Sequence, residues 1–104
     1  MGRRRAPVAL QSAGAMSGFI GGSAWAMTRD IAEGYLLVTE RTFQRMSRPD
    51  LDQLTFEIDR HLREVRGEQP SLDDIPALQR RNRKIQRLNS AMVVVRSYKQ
   101  KLRG

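Results

Sequence analysis

No cysteine occurs among the 104 residues, and histidine occurs once. Disulfides, zinc–thiolate sites and thiol catalysis are therefore excluded together, and the redox compartment is left open. Aromatic residues make up 6% of the chain. No set of them has the spacing of a platform for stacking single-stranded bases. Acidic residues are absent from residues 1–29 and again from 75–104. No stretch reads as a convincing strand, so the glycines at 14–22 cannot form a phosphate loop of the strand–loop–helix kind.

These gaps bear on catalysis. The single histidine, His61, sits beside Leu62 with no nucleophile or ligand cluster at motif spacing. The carboxylate pairs Asp50/Asp52 and Asp73/Asp74 fall at expected helix starts, where capping and the helix dipole account for acids without any chemistry. The chain reads as a non-enzyme, with no catalytic residues, no metal site, no cofactor and no small-molecule substrate.

What is present is charge, unevenly placed. The formal net charge is +8. Residues 1–29 contain Arg3, Arg4, Arg5 and Arg29, residues 30–74 contain all eleven acids against six arginines, and residues 75–104 contain nine bases. A basic end beside an acidic middle implies an anionic partner for one part of the molecule. The competing expectation is that some of the last helix's bases pair with the acids of the middle.

Residues 6–28 carry no charge at all. Gly14, Gly18 and Gly22 recur every four residues and Ala26 extends the register, a pattern that on a helix leaves a groove for close packing. Four readings compete: a weak membrane span, a secretory signal ending near Ala24-Trp25-Ala26, an organellar transit peptide, and a loose leader. The division that follows is a small-residue arm over 1–26 and a helical domain over 27–104.

From Met27, the residues Met27, Ile31, Tyr35, Val38, Thr42 and Met46 recur at helical steps, with Ala32, Thr39 and Phe43 widening the stripe. This predicts one long first helix. Gly34 inside it costs about 1 kcal/mol relative to alanine, so it marks a place of close helix packing. Leu37 falls among the charged residues and fits no simple amphipathic helix. Ser47-Arg48-Pro49-Asp50 then reads as a capping box with proline in the first turn. A second helix over 49–66 carries the near-heptad seam Leu51, Leu54, Ile58, Leu62 and Val65, and Gly67 stops it. Asp59–Arg63 and Arg60–Glu64 are spaced for ion pairs across one turn. Ser71 to Asp74 forms a capped turn into a third helix over 75–103, whose row Leu78, Ile85, Leu88, Met92, Val95 and Leu102 is interrupted by Arg81 and Lys99.

The fold expected is all-α: an antiparallel hairpin of the second and third helices, coiled-coil-like in its seams. The first helix completes it to a three-helix bundle, within one chain or through oligomerisation.

Two surfaces stand out. Arg80, Arg83, Lys84 and Arg87 project from one side of the third helix, away from its apolar row, and match the footprint of a helix lying along phosphates; Arg3, Arg4 and Arg5 supply a second contact. Leu37, Phe56, Val93, Val94 and Tyr98 exceed what a three-helix core covers and point to a protein partner or self-association. The leading expectation is a non-catalytic assembly or adaptor subunit of a larger complex whose basic C-terminal helix docks on an anionic surface. The alternatives are an RNA- or DNA-binding protein that contacts the phosphate backbone and a membrane-associated protein anchored by residues 6–28.

Overall fold

The computed structural model of the chain describes residues 19, 20 and 22–103, except for the Arg103 side chain. Four helices follow one another: α1 (Ala24–Glu33), α2 (Glu40–Phe43), α3 (Arg48–Gly67) and α4 (Ile75–Arg103). Among the described residues there is no strand, and the fold is all-α.

The capping box predicted at Ser47 is present. The Ser47 hydroxyl accepts from the Asp50 amide at 3.3 Å, and the Asp50 carboxylate accepts from the Ser47 amide at 3.2 Å. Two of the otherwise orphaned donors of a helix start are thereby used. One face of α3 then buries Leu51, Leu54, Ile58, Leu62 and Val65, as the seam requires. The Asp59–Arg63 pair forms, but Arg60 turns back to Glu57 at 2.7 Å instead of forward to Glu64. At the turn, Asp74 caps α4 by accepting from the Ala77 amide at 3.2 Å.

Helices α3 and α4 run in opposite directions. Asp52, near the start of α3, meets Lys99 near the end of α4, whereas Arg66 at the end of α3 reaches Asn89. Leu88, Ala91, Met92 and Val95 of α4 are buried against the α3 seam and α1. Each fully buried leucine contributes about 1.5–3 kcal/mol through apolar area removed from water. Leu102, the last member of the predicted row, is half-exposed beyond the packed region.

The first helix differs from expectation at both ends. It starts at Ala24, capped by Ser23, whose hydroxyl accepts from the Ala26 amide at 3.0 Å. Phe19 and Ala24, which precede Met27, both belong to the core. The helix also ends at Glu33, with no continuation to Met46. Gly34 takes a left-handed conformation, φ +85°. Its amide donates to the Ile31 carbonyl at 3.1 Å and the Tyr35 amide to the Asp30 carbonyl at 2.9 Å, which is a Schellman stop.

Residues 35–39 are non-helical, and burial alternates along them: Leu36 and Val38 pack inward while Tyr35 and Leu37 are 80% and 87% exposed. The period changes from 3.6 to 2, which is why Leu37 had no place on a helical wheel. Tyr35 leaves the predicted stripe for the same reason. Met27, Ile31, Ala32, Val38, Phe43 and Met46 are still buried, through a helix, an extended segment and the single turn of α2.

Gly22 has φ +94°, and among the described residues nothing lies within 4 Å of where a Cβ would stand. It is a turn residue that precedes α1. Gly14, Gly18, Arg3, Arg4 and Arg5 lie outside the described residues. Among the described residues, no helix is long and apolar enough to cross a membrane.

Candidate functional site

Helix α4 is a 29-residue rod, and the bases whose side chains are described fall into three groups according to what they meet. The first group meets helix C-termini. Arg81, which breaks the apolar row, donates from Nε to the Glu68 carbonyl at 2.9 Å and from its terminal nitrogen to the Arg66 carbonyl at 3.0 Å. Arg87 donates to the Ala32 carbonyl at 3.0 Å. A guanidinium suits this position because it offers several donors in a fixed fork to carbonyls that have no partner within their own helix. Its positive charge also lies at the negative end of the helix dipole. A Cβ on Gly34 would stand 2.9 Å from the Arg87 guanidinium carbon, so Gly34 does pack closely, against a side chain and not against a second helix.

The second group meets acids. Lys84 pairs with Glu33 at 3.4 Å, Lys99 with Asp52 at 2.6 Å and Lys101 with Glu40 at 2.8 Å. The Lys99 ammonium, donating to the Asp52 carboxylate, holds that group below the ordinary aspartate range; the Lys99 and Arg48 charges add to the effect, and partial desolvation opposes it. Lys99, the other interruption of the row, is therefore a clasp between α4 and the start of α3.

The third group has no such partner. Among the described residues, Arg80, Arg83 and Arg96 make no ion pair or hydrogen bond, and neither does Arg48 at the start of α3.

The predicted stripe of Arg80, Arg83, Lys84 and Arg87 is thus divided. Lys84 and Arg87 are engaged with the end of α1, and Arg80 and Arg83 remain exposed. The cationic concavity lies elsewhere. Arg48, Val93, Arg96, Ser97, Lys99 and Gln100 line a shallow groove where the start of α3 passes the C-terminal half of α4. Val93, 67% exposed, provides its apolar element. Phe56, 62% exposed, lies one turn beyond Asp52 on the side of α3 that carries the Lys99 clasp.

Sequence reasoning named Val93 and Phe56 but missed Arg48 and Arg96. The signal was the antiparallel register: once Ser47 starts α3 and the turn at 68–74 reverses the chain, the start of α3 must meet the end of α4.

The other predicted interface residues separate. Leu37, though exposed, lines a second groove with Leu36, Val38 and Val94, where Gln86, Arg87 and Ser90 supply polar edges. Val94 and Tyr98 are partly buried against the core, and the Tyr98 ring lies 5.9 Å from Phe43 at a 46° tilt. Tyr98 finishes the interior where α2 passes α4, and Val94 does so beside Leu36 and Val38. His61 is partly buried with Nδ1 3.9 Å from a Glu64 carboxylate oxygen.

The chain has no significant match among protein-family models, curated proteins or solved structures.

Proposed function

We propose that this chain is a non-catalytic assembly or adaptor subunit: a three-helix bundle, built on the α3–α4 hairpin, that docks its basic C-terminal helix on an anionic partner. The observation that carries the reading is the groove of Arg48, Val93 and Arg96. Two arginines that form no ion pair or hydrogen bond among the described residues flank an exposed valine in a concave surface, with Asp52 near enough to Arg48 to feel its charge, and that combination suits an acidic segment bearing an apolar side chain. Arginine offers a planar, weakly hydrated cation for such a contact. Phe56 extends the apolar surface beyond what one chain covers.

A second reading, binding to the RNA or DNA backbone, rests on Arg80 and Arg83, which stay exposed on the other half of α4. It is the weaker reading because Lys84 and Arg87 hold α1 in place. Membrane attachment through residues 6–28 concerns a stretch that lies mostly outside the described residues.

Gel filtration with light scattering separates the first two readings, with absorbance followed in the protein and nucleic-acid bands at low and high salt. The assembly reading expects a peak free of nucleic acid at both salts. A peak that carries nucleic acid at low salt and sheds it at high salt, with a shallower salt slope for Arg80→Ala/Arg83→Ala, would overturn it in favour of phosphate-backbone binding.

A further inference from the structure

The two ends of the α3–α4 hairpin are chemically opposite. At one end lies the groove of Arg48, Val93 and Arg96. At the other lies the turn 68–74, whose Glu68, Asp73 and Asp74 make no ion pair among the described residues. Leu72, 84% exposed, stands in the middle of that turn. An apolar side chain beside carboxylates is the complement of an apolar floor beside guanidinium groups.

We infer that the occupant of the Arg48/Val93/Arg96 groove is the Leu72–Asp73 turn of a second copy of this chain. The inference rests on the proposed reading of the groove as an anion-docking site and names its partner.

Three observations carry it. First, charge complementarity is local and reciprocal: Glu68, Asp73 and Asp74 form no ion pair at one end, where Arg80 and Arg83 stand further along the helix, and Arg48 and Arg96 form none at the other. Second, the chain cannot satisfy itself. Asp74 caps the continuous helix that carries Arg96, and at 1.5 Å per residue the two stand roughly 30 Å apart along its axis. Third, the turn is presented firmly. Asp74 is locked as the cap of α4, the Asp73 amide donates to the Ser71 hydroxyl at 3.3 Å, and Arg81 clamps the preceding carbonyls. A held turn loses less freedom on docking than a loose one.

The contact joins two different patches, so it is heterologous: copies add head to tail, and the chain of copies closes into a ring only if the rotation per step permits. Its small size places it among weak, reversible interfaces. Charged groups on its rim make it weaken with salt, as the screening length shortens from about 30 Å at 0.01 M to about 8 Å at 0.15 M.

The test uses two variants that block opposite ends without touching the core: Arg48→Ala/Arg96→Ala in the groove and Leu72→Ser/Asp73→Ser in the turn. Far-ultraviolet circular dichroism checks that each keeps its helix content. Light scattering at low salt should show the unaltered chain's average mass rising with concentration above the 11.9 kDa of one chain and falling back at high salt. Each variant alone should stay at one chain's mass. Mixed in equal amounts, they should form a species of twice that mass, because one native turn and one native groove remain.

The inference is overturned if the unaltered chain stays at single-chain mass, if the groove variant still associates like the unaltered chain, or if the mixture does not pair. Titration with poly-L-glutamate then separates the two levels. Binding lost in the groove variant would keep the anion-docking reading while removing the second copy as occupant; no binding by the unaltered chain would remove both.

Discussion

The two halves of α4 carry similar numbers of bases and use them in different ways. In the N-terminal half, Arg81 and Arg87 donate to backbone carbonyls at the ends of α3 and α1. In the C-terminal half, Lys99 and Lys101 pair with carboxylates near the starts of α3 and α2, and Arg96 is left over. The difference follows from topology. In an antiparallel arrangement a long helix meets its neighbour's C-terminus at one end and its N-terminus at the other. Carbonyls wait at the first, with Glu33 beside them for Lys84, and acids favoured there by the helix dipole wait at the second. Residue type alone did not divide these bases into structural and available ones. The part of the neighbouring helix that each faces did.

The largest test of this division is Gly34→Ala. A left-handed conformation costs an alanine about 1–2 kcal/mol, and its methyl group displaces the Arg87 fork. Thermal unfolding should show a clear loss, and combining the change with Arg87→Ala should cost less than the two separate losses together. Next comes Arg87→Ala by itself, which leaves the Ala32 carbonyl without its charged donor at a cost of about 1–2 kcal/mol. Arg81→Ala should cost about 1 kcal/mol because its carbonyls are exposed and water replaces the donor. If Arg81→Ala and Arg87→Ala were as mild as Lys101→Ala, the distinction between carbonyl clamps and surface ion pairs would fail.

The smallest effect belongs to Lys99→Met, read by proton titration. In the intact protein Asp52 titrates below the ordinary aspartate range, and the substitution should return it upward. A carboxyl whose folded pKa is depressed stabilises the fold above its unfolded pKa, and that contribution is lost as pH falls through the folded pKa. Lys99→Met should therefore flatten the acid limb of the stability curve by lowering stability slightly at neutral pH, while stability below the folded pKa stays nearly unchanged. An unmoved Asp52 would remove the clasp.

Sequence alone made much of the hairpin legible, because its signals are local. The box Ser47/Asp50, Pro49 and the heptad spacing of Leu51 to Val65 all act within a turn or two, and so does the Asp74 cap. The first helix misled because Gly34 was read as a tolerated interior residue when its left-handed conformation ends the helix. Thr39, Thr42 and Phe43 recur at helical steps across a stretch that the backbone does not traverse as one helix. Leu37 was the visible discrepancy, since a residue that fits no face of a helix is evidence of another period. The groove was out of reach for a different reason. Arg48 and Arg96 are far apart in the chain, and only the register set by Asp52–Lys99 and Arg66–Asn89 brings them together.

The fastening of α1 has a consequence for how the protein opens. Helices α3 and α4 are joined by a short turn and share a continuous seam, so their contacts form and break as a local unit. Ten-residue α1 is attached through its packed face and, at its C-terminus, through the guanidinium of Arg87 and the Lys84–Glu33 pair. Amide hydrogens of α1 should therefore exchange through a partial opening that leaves the hairpin closed, and those near Leu54, Ile58 and Leu88 only through global unfolding. Losing the Arg87 fork should speed exchange in α1 selectively, and α1 would then behave as a separate foldon of low stability laid over a more persistent two-helix unit.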